Sequence, residues 1–138
     1  MGTVAKSTAA FTIVPRSVLG RGYTPPSDRI NVANIGCGTQ GLREMKDMLQ
    51  NIELQVVSVC DVNKFSTDYL DWSPQGLLAN MRQTLKDASW GSSIKGIPGG
   101  RDIAQQYVSD YYAKNLKKDE FKGVSSYEDF RELLDKET

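Results

Sequence analysis

The feature that most constrains the fold is a glycine turn that lies between a short strand and a helix. Residues 30–35, INVANI, form a β-branched run that is typical of a buried strand. The turn 36–41, GCGTQG, follows, and apolar residues then recur at helical spacing. Residues 54–60, LQVVSVC, predict a second strand that ends at Asp61. A crossover of this length predicts a parallel pair of strands in a right-handed βαβ unit.

The rest of the chain predicts further helices and one short strand. Ser73 is expected to cap a helix whose first residue is Pro74, and Ser126 to cap the last helix. Residues 90–100, which contain four glycines, predict a loop, and residues 123–125 predict a strand. The expected helix faces are Leu42, Met45, Leu49 and Ile52; Leu77, Leu78, Met81, Leu85 and Ala88; Ala104, Tyr107, Val108 and Tyr111; and Tyr127, Phe130, Leu133 and Leu134.

Composition excludes several classes of protein. The 138 residues, 39% hydrophobic and 25% charged, have the balance of one globular domain. A net charge of zero argues against a nucleic-acid-binding surface, and no apolar run is long enough to span a membrane. There is no histidine, the commonest general base. The two cysteines, Cys37 and Cys60, are expected to be buried thiols at strand ends.

The glycine turn has the spacing of a diphosphate-binding loop. We expect Gly36 to permit the tight turn, Gly38 to let a pyrophosphate approach the backbone, and Gly41 to bring the helix close to the strand. The backbone N–H groups of Thr39 and Gln40 would then point at the phosphates from the positive end of the helix dipole. The alternative is a turn that uses glycine for packing alone.

An acidic residue lies where the second strand ends. Asp61 is 20 residues beyond Gly41, which is the position from which a carboxylate accepts hydrogen bonds from both hydroxyls of an adenosine ribose. A carboxylate there repels a 2′-phosphate and favours NAD over NADP, although Lys64 would soften that repulsion if it were not simply an exposed loop lysine. The alternative for Asp61 is a solvated loop residue.

These patterns predict the fold class and its division. The class is α/β, with a partial Rossmann-type parallel sheet, flanking helices and an extended N-terminal arm. Residues 1–29, broken by prolines and glycines, are the arm or the remnant of an export signal region. Residues 30–138 are the N-terminal part of a dinucleotide-binding Rossmann domain, with a helical insertion at about residues 68–100.

Other candidate residues carry less weight. Arg101 could approach a phosphate or carboxylate, but we expect it merely to open a helix at the surface. Tyr107, Tyr111 and Tyr112 are expected in the core and at its rim rather than in a platform for a substrate. No catalytic triad, cysteine–histidine pair or carboxylate cluster can be assembled.

Three segments together resemble the N-terminal domain of the Gfo/Idh/MocA oxidoreductases. They are residues 30–41 (INVANIGCGTQG), 59–63 (VCDVN) and 127–134 (YEDFRELL). The glycine loop alone is shared by many Rossmann proteins, whereas the spaced trio is much more specific. The resemblance implies an NAD(P)-dependent oxidoreductase that acts on CH–OH groups of sugars or polyols. The cofactor-binding residues that we predict are Gly36, Gly38, Thr39, Gln40, Gly41, Asp61 and Asn63.

Part of the family pattern has no counterpart in this chain. The Glu-Lys-Pro segment with the catalytic lysine and the C-terminal substrate domain are both missing from the sequence. We therefore expect an N-terminal fragment without turnover, whose complete form takes a sugar or polyol substrate and can form a homo-oligomer. Residues 11–16, FTIVPR, resemble the segment after a twin-arginine signal, which implies a periplasmic or exported protein. A chain that truly starts at Met1 is expected in the cytoplasm.

Two rival functions remain open from the sequence. An S-adenosylmethionine-dependent methyltransferase also places glycines after its first strand and an acid after its second. Its motif usually has an acid and a further glycine where this chain has Asn34 and Gln40, which counts against it. A non-enzymatic nucleotide-sensing module is excluded by nothing in the sequence.

Overall fold

The structure, a computed structural model, describes residues 28–73, 75–117 and 120–137. In chain order the helices and strands are β1 (Ile30–Ile35), α1 (Thr39–Gln50), β2 (Leu54–Cys60), α2 (Leu77–Leu85), α3 (Arg101–Asn115), β3 (Ser125–Tyr127) and α4 (Phe130–Lys136). The predicted α/β class is confirmed: a three-stranded parallel sheet is flanked by four helices in the described part of the chain. Residues 1–27 of the predicted arm lie outside the described residues.

The sheet brings the ends of its three strands together. Its order is β1–β2–β3, and both pairs of neighbours are parallel. Ile35 at the end of β1 pairs with Cys60, and Cys60 pairs in turn with Tyr127 at the end of β3. The loops that follow the strands therefore begin at one common edge, the carboxyl edge of the sheet.

β1 is not the buried strand that the sequence predicts. Its end residues Ile30 and Ile35 are 62% and 58% exposed. No strand among the described residues pairs with its outer edge, whereas β2 has a partner on each side and is buried along most of its length. The β-branched run of β1 indicates a strand correctly, but burial depends on a neighbour that the run itself does not specify.

The core fills the space between the sheet and three of the helices. α1 and α3 pack on β2, and α2 packs against α1 and α3. Among the buried apolar residues are Cys37, Leu42, Met45, Leu49, Val56, Val59, Leu77, Met81, Leu85, Ile103, Ala104, Tyr107, Val108 and Tyr112. Both cysteines are free and buried, as predicted, and Tyr107 and Tyr112 are core residues.

The start of α2 differs from the prediction. The helix begins at Leu77 rather than at Pro74, and its N-cap residue is Gly76 rather than Ser73. Pro74 itself lies outside the described residues. The Leu77 N–H donates to the carboxylate of Asp71, which therefore takes the capping role from outside the helix.

Asp71 is held by several donors at once. Its side chain is 4% exposed and pairs with Arg43 of α1 at 2.8 Å. It also accepts hydrogen bonds from the N–H and the hydroxyl of Ser73, at 2.9 and 2.6 Å. Desolvation raises the pKa of this carboxyl, but the hydrogen bonds from Ser73, Arg43 and Leu77 outweigh it and hold the pKa well below its usual range.

Three other predicted positions on helices are wrong. Ile52 and Ala88 lie beyond the ends of α1 and α2 and are exposed. Tyr127 belongs to β3 rather than to the last helix. That helix is capped by Asp129 and not by Ser126, because the Asp129 carboxylate accepts a hydrogen bond from an N–H of its first turn.

Candidate functional site

The glycine turn leaves β1 at the carboxyl edge and leads directly into α1. Gly36 has a φ of +93°, a conformation that glycine adopts far more readily than other residues. Its N–H donates to the carbonyl of Cys60 at 2.8 Å, which continues the pairing of β1 with β2. A Cβ on Gly36 would meet nothing among the described residues within 4 Å, so the backbone conformation is what requires glycine here. The predicted tight turn is confirmed.

Gly41 brings α1 against the turn. A Cβ on Gly41 would overlap the carbonyl oxygen of Gly36, which leaves no room for a side chain. The Asn34 amide donates to the same oxygen at 3.0 Å and fixes its position. The close approach that the sequence predicts for this glycine is therefore present.

Gly38 has a neighbour that the sequence does not predict. The ring of Tyr69 lies against it, so that a Cβ on Gly38 would be 3.0 Å from Cε1 of that ring. The sequence predicts that a pyrophosphate approaches the backbone at this face, whereas the structure has the Tyr69 ring there. A diphosphate bound at the turn has to lie beside that ring.

The N-terminus of α1 offers backbone donors. Gly38 is its N-cap, no described side chain caps it, and its first turn has no acidic residue. The N–H of Leu42 is bonded to the Gly38 carbonyl at 2.9 Å. The preceding N–H groups, including those of Thr39 and Gln40, have no acceptor within the helix. The positive end of the helix dipole favours an anion as their ligand.

Asp61 follows β2 and points its carboxylate at the glycine turn. One oxygen, Oδ2, accepts from the Cys37 N–H at 2.6 Å, and Oδ1 accepts from the Asn63 N–H at 2.8 Å. A carboxylate has about four lone-pair positions, so two remain for the two hydroxyls of a ribose. The structure thus places the predicted ribose acid directly beside the predicted phosphate turn.

Asn63 connects this carboxylate to Tyr69. Its backbone N–H is bonded to Asp61, and its side-chain amide donates to the Tyr69 hydroxyl at 3.2 Å. Sequence reasoning missed Tyr69 because nothing local marks it: it lies within the predicted insertion, far from the glycine turn along the chain.

Arg101 has a structural role. It is the first residue of α3, as expected for a residue that opens a helix. Its guanidinium donates to the carbonyls of Asp61 and Val62 at 2.9 and 3.1 Å and pairs with Glu128 at 2.9 Å. These bonds connect the loop after β2 to the loop after β3. They also direct the Arg101 guanidinium at protein partners rather than at a phosphate or carboxylate of a ligand. Lys64 is exposed, as expected of a loop lysine.

The thiols at this edge are unsuited to nucleophilic chemistry. Cys37 is completely buried, and desolvation by burial is the main cause that raises its pKa to about 11. Burial also raises the pKa of Cys60. A thiol with a raised pKa stays protonated near neutral pH and is a poor nucleophile. The turn, Asp61 and Asn63 therefore offer a ligand hydrogen bonds, and the neighbouring thiols add no reactive nucleophile.

The described ranges contain neither a cluster of three or more metal-ligating side chains nor a helix long and apolar enough to cross a membrane. Comparisons of the chain with protein-family models, with curated proteins and with solved structures give no match. The resemblance to the Gfo/Idh/MocA oxidoreductases, the cellular location and the homo-oligomer stay predictions.

Proposed function

We propose that the chain binds the adenosine diphosphate part of a nicotinamide dinucleotide. The observation that carries this proposal is the 2.6 Å hydrogen bond from the Cys37 N–H of the glycine turn to the Asp61 carboxylate. This bond brings two groups together on one surface. One is an acceptor suited to a ribose diol, and the other is a set of backbone donors suited to phosphates. These are the two recognition elements of a Rossmann nucleotide site, in their usual relative order along the chain.

The turn and Asp61 offer donors and acceptors for such a cofactor, and the Tyr69 ring against Gly38 limits where its diphosphate can lie. The N–H groups of Thr39 and Gln40 would hold the diphosphate, and the two remaining acceptor positions of Asp61 would hold the ribose hydroxyls. Gly36 and Gly41 keep the turn and α1 close enough for both contacts, because a side chain on Gly41 would force them apart. When bound, a nicotinamide dinucleotide supplies hydride transfer.

The charges favour NAD over NADP. A 2′-phosphate would lie near the carboxylate of Asp61 and be repelled by it. Arg101 is close enough to the Asp61 backbone to hydrogen-bond to it, but its guanidinium is already occupied by two carbonyls and by Glu128. Arg101 is therefore directed at these protein partners rather than at a 2′-phosphate.

The wider function that we propose is that of an oxidoreductase acting on CH–OH groups of sugars or polyols. This part rests on the resemblance of the three segments to the Gfo/Idh/MocA family. It is supported by their placement, since each of the three segments includes or adjoins the end of a strand at the carboxyl edge. The nucleotide site is the contribution that the described residues make to such an enzyme.

Calorimetric titration of the 138-residue chain with NAD, NADP and S-adenosylmethionine tests the proposal. We expect NAD to bind, NADP to bind more weakly and S-adenosylmethionine not to bind. Asp61→Ala should weaken NAD binding at least tenfold, since it removes the acceptor of about two hydrogen bonds.

A matched variant controls for the loss of one negative charge. Asp68→Asn changes an exposed carboxylate in the segment between β2 and α2 and should leave NAD affinity unchanged. Binding of S-adenosylmethionine in place of NAD would favour the methyltransferase.

A further inference from the structure

The ring of Tyr69 packs against the glycine turn in a space that exists because two of its neighbours are glycines. Its ring lies between Gly38 and Gly99: a Cβ on Gly38 would be 3.0 Å from Cε1, and one on Gly99 would be 2.6 Å from Cδ2. Real Cβ atoms rarely approach other atoms so closely, so a side chain at either position would displace the ring. The absence of side chains on both sides defines where the ring lies.

The backbone that carries Tyr69 is fixed as well. Its N–H donates to the carbonyl of Ile97 at 3.3 Å, within the loop that leads to α3. The same loop is bonded to the glycine turn, because the Gly100 N–H donates to the Cys37 carbonyl at 2.8 Å. The tyrosine, the loop and the turn therefore form one connected unit.

The hydroxyl of Tyr69 accepts one hydrogen bond, and its own O–H has no acceptor among the hydrogen bonds of the described residues. It accepts a hydrogen bond from the Asn63 amide at 3.2 Å, and Asn63 is bonded through its backbone to Asp61 at 2.8 Å. A phenol that accepts one hydrogen bond can still donate another through its own O–H. That donor lies beside the turn whose N–H groups favour an anion.

We propose that Tyr69 is a ligand-contacting residue of the nucleotide site, whose hydroxyl donates a hydrogen bond to a phosphate oxygen of the bound dinucleotide. The inference rests on the proposed function and adds a side-chain donor to the backbone donors of Thr39 and Gln40. The Asn63 amide orients the phenol, and the two glycines keep the ring in place.

Tyr69→Phe tests the inference because it removes the hydroxyl and keeps the ring. In calorimetric titrations of the 138-residue chain, the variant should bind NAD and ADP roughly 10- to 100-fold more weakly than the wild type, as expected for a lost hydrogen bond to a charged group. Affinity for adenosine, which has no phosphate, should not change. The thermal unfolding midpoint without ligand should fall by no more than a few degrees, because the variant also loses the hydrogen bond from the Asn63 amide.

A matched control is Tyr111→Phe. Tyr111 packs edge-on against Tyr112 on α3 and lines a cavity with Leu54, at the amino end of β2. Tyr111 therefore lies toward the amino edge of the sheet, away from the turn at the carboxyl edge, and the variant should bind NAD as the wild type does.

The outcomes separate the two proposals. Wild-type NAD affinity in Tyr69→Phe, or an equal loss for adenosine, overturns the role of Tyr69 and leaves the nucleotide site standing. Tighter NAD binding by Tyr69→Ala than by the wild type would mean that the ring obstructs the site and would also overturn it. Absence of NAD and ADP binding by the wild-type chain overturns both proposals.

Discussion

Replacement of Gly41 by alanine tests how closely α1 approaches the glycine turn. The added methyl group would overlap the carbonyl oxygen of Gly36, which the Asn34 amide holds at 3.0 Å. Because the obstacle is backbone, it cannot rotate away as a side chain can. Overpacking costs about 1–3 kcal/mol, and a backbone clash belongs at the upper end of that range. Alanine regains about 1 kcal/mol of helix propensity, so the net loss of unfolding free energy is about 2 kcal/mol.

Urea denaturation followed by circular dichroism measures this loss. A domain of this size loses about 1–3 kcal/mol of stability per molar urea, so the midpoint of Gly41→Ala should fall by roughly 1 M. Gln40→Ala is the control, because Gln40 is an exposed neighbour on the same helix whose substitution should change stability by less than about 0.5 kcal/mol. A midpoint for Gly41→Ala at or above that of the wild type would refute the close approach.

Two further predictions concern groups whose pKa changes on folding. Folding lowers the pKa of Asp71, so its contribution to stability is present above about pH 4 and is lost as pH falls below that value. Asp71→Asn should lose less stability than the wild type on acidification, and parallel urea midpoints would contradict this. Folding raises the pKa of Cys37 from 9.0 to about 11, so its contribution is present below pH 9 and is lost as pH rises toward 11. Iodoacetamide at pH 8 should therefore alkylate Cys37 only after unfolding, and modification of the folded chain at the rate of a free thiol would count against its burial.

The unit from β1 to Asp61 could be predicted in detail because the sequence patterns that specify it are local. Strand runs, helical spacing and glycine positions are properties of short stretches, and β1 and β2 have the predicted bounds. Gly36 and Gly41 do what their spacing predicts, since a turn and a close helix start involve neighbours along the chain.

What could not be predicted depends on contacts that no local pattern in the sequence marks. The cap of α2 comes from Asp71, six residues before the Leu77 N–H, and not from the serine that matches the local pattern. The burial of β1 depends on which strands flank it. Tyr69 reaches Gly38 only because the loop before α3 folds back onto the turn. None of these contacts has a periodicity that marks it in the sequence.

The central claim is that the glycine turn and Asp61 bind one nucleotide together. The measurement that tests it most directly is a titration of the ¹⁵N-labelled chain with NAD, followed by amide chemical shifts. We predict that the N–H signals of Cys37, Thr39, Gln40 and Asn63 shift together along one saturating curve. Shifts confined to other parts of the chain, or no change in these four signals at millimolar NAD, would contradict the claim.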